Sequence, residues 1–225
     1  MHSCLVGSEM CIRDSDGPIV RGRSSLFARD REAAAQTIVD AVKDAREDKR
    51  VKAIILRVSS PGGSYVASDT ILHALSAARA GGLPVIVSMS DMAASGGYFV
   101  ALAADHVVAH PNTITGSIGV VSGKLNLAGL LAEYGIRTDS VSAGRNADMF
   151  SMTKPFSAAE SARLDAVLDT IYEDFTTKVA AARRLGPAEI DAAARGRVWS
   201  GLDAKRIGLV DVLGGYAEAE GLARD

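Results

Sequence analysis

The stretch Asp91–Ala104 reads DMAASGGYFVALAA, and it contains the strand-to-helix corner around which the other predicted elements are arranged. An apolar run, Leu83–Met89, precedes it and is typical of a buried strand. The apolar residues from Tyr98 onward predict a helix. Ser95 and two glycines lie between them, so the sequence predicts a serine at a strand-to-helix corner. Free N–H groups and the positive end of the helix dipole lie at such a corner, and both stabilise an oxyanion.

A second glycine loop, Ser59–Ser64, follows another predicted strand, Val51–Val58. Parallel strands joined by right-handed crossovers bring such loops to the same end of a sheet, where ligands bind. We therefore expect Ser95 to be a nucleophile, with oxyanion donors from the amide of Gly96 and the backbone of Gly62-Gly63. The alternatives remain open at this point: Ser95 can be a simple N-cap residue, and a lone Pro-Gly-Gly can be only a tight turn.

The composition of the chain limits the classes of protein to which it can belong. The chain has 225 residues, a formal net charge of −2, 48% hydrophobic and 23% charged residues. The charge gives no reason to expect nucleic acid as a partner, and no apolar run reaches the roughly 18 residues of a spanning helix. Helices alternate with short β-rich runs, which predicts an α/β domain with a mainly parallel sheet and flanking helices. Further elements are expected as a strand over Arg137–Val141 and a long helix from Ser157 to Leu185, with a Ser157/Glu160 capping box.

Residues 1–15, MHSCLVGSEMCIRDS, lack a clear helical or strand period and resemble a translated sequencing adapter. We expect this stretch to be a non-native leader and residues 16–225 to form a single domain. Both cysteines, Cys4 and Cys11, lie in the leader. The remaining sequence therefore offers no disulfide, thiol nucleophile or cysteine-based zinc site, and its scattered histidines have no metal-ligand spacing, so we expect no metal and no cofactor.

Four motifs together resemble the signal peptide peptidase A (protease IV) family, which has the crotonase/Clp-protease-like fold. They are SSPGGS (59–64), DMAASGGYFVA (91–101), AHPNTITGSIGV (109–120) and GRVWSGLDAKRIGLVDVLGG (196–215). The resemblance implies a serine–lysine dyad peptidase that degrades residual signal peptides or other short apolar peptides. It also implies a homo-oligomer that is anchored in the bacterial cytoplasmic membrane with its catalytic part outside, through an anchor that this sequence does not contain.

The resemblance assigns the nucleophile to Ser95 and the oxyanion donors to Gly96 and the Gly62-Gly63 turn. The family's general-base lysine has no counterpart, because Ala147 stands in its place and the nearby Arg145 offers no free base. In the long, duplicated members the C-terminal half carries the serine and the N-terminal half carries the lysine. We therefore expect this chain to be a C-terminal half whose base comes from an N-terminal half.

Lys154 is the nearest alternative base in the sequence, and Lys124 is a weaker one. A catalytic lysine must be desolvated to lose its proton near neutral pH. Two other functions remain as alternatives. One is an acyl-CoA enzyme of the crotonase type, which the serine corner and the lack of a glutamate near either glycine loop disfavour. The other is a non-catalytic assembly or binding domain, which the missing lysine favours.

Overall fold

The structure is a computed structural model that describes residues 10–24 and 32–224. The described part contains two compact units, one formed by the chain up to Gly119 together with Phe175–Asp225, the other by Val120–Asp174. In chain order the elements are β1 (Met10–Asp16), β2 (Ile19–Val20), β3 (Ala33–Ala34), α1 (Ala35–Glu47), β4 (Ala53–Ser60), α2 (Tyr65–Ala80), β5 (Val85–Ala94), α3 (Gly96–Ala101), β6 (His106–Ala109), β7 (Ile114–Gly116), α4 (Ala128–Glu133), α5 (Ala158–Arg183), α6 (Pro187–Ala193), β8 (Val198–Ser200), α7 (Gly201–Arg206), β9 (Val212–Leu213) and α8 (Tyr216–Arg224).

The first unit is built on a parallel sheet with the strand order β1-β4-β5-β6-β9. β7 extends the end of β5 in parallel, and β8 pairs with β7 in the antiparallel sense. The apolar face of α1 is buried, through Ile38, Val42 and three alanines, and α1 packs against α2. On the sheet, Ile55, Ile86 and Val108 form a buried cluster with Ala219 of α8. The predicted α/β class, with a mainly parallel sheet and flanking helices, is confirmed.

β5 changes its neighbours along its length. Its first half pairs with β6, and its last residues pair with β7. On the β4 side, Val58 lies opposite Met89, but Ser60 lies opposite Ala93, so β5 contains a bulge between the two positions. Bulges bend a strand and redirect the residues that follow. The end of β5, and with it Ser95, is therefore turned away from the straight course of the sheet.

The segment 1–15 was set aside in the sequence analysis, but residues 10–15 belong to β1. β1 pairs in parallel with the whole of β4, from Met10 opposite Ala53 to Asp16 opposite Ser59. Residues 10–15 therefore lie in the sheet of the first unit, whereas the non-native origin of residues 1–15 stays a prediction. Ladder hydrogen bonds join backbone groups, so an edge position accepts sequences that show little strand pattern. Residues 1–9 lie outside the described residues.

In the second unit, the predicted strand over Arg137–Val141 is wrong. These residues have no regular structure, they are exposed, and no described strand pairs with them. A short β-rich run needs a neighbour for its N–H and C=O groups, and the local pattern cannot supply one. The long helix is found as α5. Its start has the expected capping box, in which Glu160 N–H donates to Ser157 Oγ at 3.2 Å and Ser157 N–H donates to Glu160 Oε2 at 2.7 Å.

In the first unit, an ion pair holds the C-terminal end of α5 against the residue that precedes β9. Arg183 donates two hydrogen bonds to Asp211, at 2.6 and 2.9 Å, and its side chain is only 12% exposed. Asp211 also accepts from Val107 N–H at 2.8 Å. Burial by itself raises the pKa of the Asp211 carboxyl, but the hydrogen bonds from Arg183 and Val107 outweigh it and hold this pKa below its usual value.

We expect Asp211→Asn to lower the free energy of unfolding at pH 7 by about 2–3 kcal/mol, because it leaves the largely buried Arg183 without its counter-charge. The lowered pKa makes this contribution fully present above the unfolded-state pKa of about 3.9 and lost as the pH falls below it. Urea unfolding at a series of pH values should show the gap to wild type narrowing in acid. Asp165→Asn, at an exposed position of α5, is the control. A gap that is constant down to pH 2 would contradict the linkage.

Candidate active site

Ser95 lies between β5 and α3, at the strand-to-helix corner that the sequence predicts. Its φ and ψ are 52° and −118°, a conformation that residues with a side chain rarely adopt. Its N–H donates to Gly116 O at 2.9 Å, and its carbonyl accepts from Phe99 N–H at 2.8 Å. The side chain does not cap α3. Such strain persists only where the surrounding structure imposes it, and it is concentrated at functional sites.

The Pro61–Gly63 turn lies against this corner. A Cβ on Gly62 would be 2.7 Å from Gly96 N and 2.8 Å from Ser95 Cβ, which is closer than a side chain allows. A Cβ on Gly96 would in turn lie 3.3 Å from Gly63 N. The two glycine loops are therefore in direct backbone contact, as the parallel pairing of β4 and β5 predicts. The structure brings together Ser95, Gly96 and the Gly62-Gly63 turn.

Two amide groups of this site have no acceptor among the described residues. Gly96 is the first residue of α3, so its N–H has no partner within the helix, and none is found elsewhere in the described part. The same holds for the N–H of Gly63, an exposed residue. The N–H of Gly62 is different, because it donates to Ser60 Oγ at 3.1 Å. Of the three glycines expected to supply oxyanion donors, Gly63 and Gly96 thus have an unpaired N–H and Gly62 does not.

Trp199 of the C-terminal motif packs against Gly116, the residue whose carbonyl binds Ser95 N–H, and the sequence analysis missed this role. Gly116, whose carbonyl accepts from Ser95 N–H, has a φ of +77°, and a Cβ there would lie 2.7 Å from Trp199 Cδ1. Trp199 is fixed by its Nε1–H, which donates to Ala193 O at 3.0 Å. The sequence contained a sign of this role in the Gly-Arg-Val-Trp-Ser-Gly motif, which is part of one of the four motifs that carry the family resemblance. Only the β7–β8 pairing shows that the two motifs meet.

Lys154, the alternative base, belongs to the second unit, where it forms ion pairs with Asp148 at 2.8 Å and Glu160 at 3.1 Å. The hydrogen bonds to these carboxylates, first to Asp148 and then to Glu160, raise the pKa of Lys154. A general base must be neutral, so both contacts oppose that role. Lys124 donates to Met149 O at 2.6 Å and lies 4.3 Å from the centroid of the Phe156 ring. Ala147 is exposed in the same unit.

The other titratable side chains of the described residues do not form a second chemical centre. His73 Nδ1 lies 2.9 Å from Asp69 O, and His110 Nδ1 accepts from Asn112 N–H at 3.3 Å. No group of histidine, cysteine and acidic residues in the described ranges could hold a metal ion. A cleft of about 480 Å³ is lined by residues that include Arg57, Asp91 and His110, but not by Ser95 or the glycine turn. No described helix is long and apolar enough to span a bilayer.

The geometry at the corner suits acyl transfer. A hydroxyl held in a strained corner beside two unpaired amides can attack a carbonyl carbon while the amides stabilise the oxyanion that develops. No hydrogen bond joins the Ser95 hydroxyl to another described residue. The base that this chemistry needs is therefore not supplied by a described contact.

Comparisons with known proteins show the family to which the chain belongs. A model of Peptidase family S49 matches residues 77–225. The chain is 46% identical over 183 residues to Protease 4 of Salmonella typhi, covering 81% of this chain and 29% of that protein. It is 35% identical over 217 residues to the chloroplastic serine protease SPPA of Arabidopsis thaliana, covering 96% of this chain and 32% of that protein. It is 36% identical over 214 residues to Protease 4 of Haemophilus influenzae, covering 95% of this chain and 34% of that protein.

The chain thus spans about a third of the length of these relatives. The match to the family model includes both the serine corner and the C-terminal tryptophan motif. The family model covers more than half of the chain, and each of these relatives is at least 35% identical to it. The resemblance noted in the sequence is confirmed: the chain belongs to Peptidase family S49, whose ClpP-like fold accounts for its parallel sheet and flanking helices.

Proposed function

We propose that this chain is the serine-bearing part of a peptidase that cleaves residual signal peptides and other short apolar peptides. The single observation that carries the proposal is the strained Ser95 beside the unpaired N–H groups of Gly63 and Gly96. The peptide substrate, the outer face of the bacterial cytoplasmic membrane and the assembly of several copies follow from the family resemblance. No cofactor is needed for this chemistry.

In the proposed mechanism Ser95 Oγ attacks the scissile carbonyl carbon, and a neutral lysine Nζ takes the hydroxyl proton. The carbonyl oxygen becomes an oxyanion that accepts hydrogen bonds from Gly63 N–H and Gly96 N–H. When the C–N bond breaks, the lysine returns the proton to the leaving amine, and an ester joins Ser95 to the acyl half of the peptide. Water activated by the same lysine then hydrolyses this ester and frees Ser95.

The lysine is the part of the proposal that this chain does not supply. The relatives are about three times as long as the matched region, so they contain segments that could provide it. We propose that the base comes from an N-terminal half of the same protein, as in the duplicated members of the family. Ala147 stands where short members have their lysine, and the pairing of Lys154 with two carboxylates favours its charged form.

We expect Ser95→Ala to lower kcat of the complete peptidase by at least about 10⁴-fold, because the nucleophile is lost. The fold should be retained, since alanine keeps the backbone contacts of the corner. Turnover of a chromogenic apolar peptide and labelling by a fluorophosphonate measure the effect. Ser122→Ala, in a segment of the second unit, is the control. Unchanged hydrolysis and labelling in Ser95→Ala would reject the peptidase proposal and leave the acyl-CoA and non-catalytic alternatives.

Gly96→Ala tests the contact between the two loops. A Cβ at this position would lie 2.5 Å from Ser68 Oγ and 3.3 Å from Gly63 N, so it should push the glycine turn away from Ser95. We expect kcat to fall by about 10²-fold or more, the cost of one misplaced oxyanion donor, with a much smaller change in Tm. Gly63 is unsuitable for this test, because a Cβ there would lie 2.2 Å from the backbone oxygen of Ile19.

The matched control is Gly129→Ala in α4, where an added Cβ would meet nothing within 4 Å. Its kcat should equal that of wild type. If Gly96→Ala lost Tm in proportion to its activity, then Gly96 would serve packing alone.

The origin of the base gives a further prediction. The isolated chain should hydrolyse the apolar peptide very slowly, and addition of the N-terminal half should raise its turnover, because an unassisted hydroxyl is a weak nucleophile. Lys154→Met should change the turnover of the assembled protein less than twofold. Ala147→Lys in the isolated chain should raise its turnover. A fast isolated chain that Lys154→Met inactivates would make Lys154 the base and overturn the two-half proposal.

A further inference from the structure

The hydroxyl of the buried residue Ser60 forms a hydrogen bond with the backbone of the glycine turn. Ser60 is the last residue of β4 and is fully buried, with 0% of its surface exposed. Its Oγ accepts from Gly62 N–H at 3.1 Å and lies 3.5 Å from Gly62 O. A serine that binds the backbone two residues ahead forms a side-chain turn, which fixes the backbone between the two residues.

This contact decides which N–H of the turn stays available. Pro61 has no N–H, and the N–H of Gly62 is used by Ser60 Oγ. The next donor along the chain is Gly63 N–H, which belongs to an exposed residue and has no acceptor among the described residues. The turn therefore presents a single amide, and the side chain of Ser60 is the reason that this amide belongs to Gly63.

The same contact helps to fix the direction of that amide. Gly62 O and Gly63 N–H belong to one planar trans peptide unit, so they point in opposite directions. Ile19 N–H donates to Gly62 O at 2.7 Å and holds the carbonyl side of the unit. Gly62 and Gly63 have φ values of +103° and +149°, and glycines tolerate rotation of the peptide between them. Ser60 Oγ, which lies 3.5 Å from the same Gly62 O, opposes that rotation from the carbonyl side.

Ser60 also contacts the corner that bears the second donor. A Cβ on Gly97 would lie 2.8 Å from Ser60 O and 3.3 Å from Ser60 Cβ, so the first turn of α3 packs directly on this residue. Ser60 is thus in contact with both loops that carry an unpaired amide.

We propose that Ser60 is a positioning residue for peptide-bond cleavage, whose hydroxyl holds Gly63 N–H in the direction that receives the oxyanion. The proposal rests on the proposed peptidase function. Ser60 does not touch the reacting atoms. It acts through the turn, so its loss should affect the transition state more than the binding of the peptide.

The test is Ser60→Ala in the assembled, active peptidase, with kcat calculated per site titrated by a fluorophosphonate so that unfolded protein does not count. We expect kcat to fall by about tenfold or more, and KM to stay within about twofold of wild type. The matched control is Thr113→Val. Thr113 is equally buried, at 1% exposed, and its hydroxyl donates to Ser90 O at 2.6 Å, outside both glycine loops.

A second measurement does not depend on activity. Hydrogen exchange of glycine amides, followed by NMR, should be slow at Gly62 and fast at Gly63 in wild type. In Ser60→Ala the exchange at Gly62 should become at least about tenfold faster, because its N–H loses its acceptor. Thr113→Val should leave both rates unchanged.

The outcomes separate the two proposals. Turnover that survives Ser95→Ala would reject the peptidase function, whatever Ser60 does. With an active Ser95-dependent enzyme, an unchanged kcat per site in Ser60→Ala would overturn the role of Ser60, even if exchange at Gly62 rose. Equal losses of kcat in Ser60→Ala and Thr113→Val would also overturn it, since they would indicate general loosening of the protein.

Discussion

The contact on which the site depends is the close approach of two backbone loops, the Pro61–Gly63 turn and the Ser95–Gly97 corner. The distance is set by the absence of side chains, because a Cβ on Gly62 would lie 2.7 Å from Gly96 N. A nucleophile and two amides can converge on one reacting carbonyl only if the loops that carry them are this close. The glycines are therefore required by the spacing of the site, and Gly62 and Gly63 also by their positive φ values.

The sheet provides this approach. β4 and β5 are adjacent parallel strands, so their following loops emerge at the same edge. The bulge in β5 and the change of neighbour from β6 to β7 then turn the end of β5. β7 supplies Gly116 O, which accepts from Ser95 N–H, and β8 places Trp199 against Gly116. The strained conformation of Ser95 is held by these elements, so the serine corner depends on Gly116 and, through it, on Trp199, which lies about a hundred positions away in the sequence.

Charge is arranged differently in the two units. In the first unit, the Arg183–Asp211 pair is largely buried and joins α5 to the sheet, while the serine corner itself contains no ionised side chain among its described contacts. In the second unit, Lys154 is paired with Asp148 and Glu160 at the start of α5. The hydrogen bond from Ser157 N–H, followed by that from Lys154, lowers the pKa of Glu160 to about 2. These contacts stabilise a capped helix start, which is a structural role for Lys154, the nearest alternative base that the sequence offered.

The sequence by itself determined the α/β class, the serine corner and the pairing of the two glycine loops. These features follow from local patterns, namely apolar runs that end in glycine and small residues, and from the rule that parallel strands end at one edge. The sequence did not determine which glycine N–H is free, because that depends on the hydrogen bond from Gly62 N–H to Ser60 Oγ. It also did not determine that Trp199 packs against Gly116 across the β7–β8 pair. The sequence also predicted a strand over Arg137–Val141, but no described strand pairs with these residues. It set aside residues 10–15, which form part of the edge strand β1 and pair with β4. In each of these cases the outcome was decided by the partner that the chain meets in space, and strand pairing, peptide orientation and side-chain support all depend on such partners.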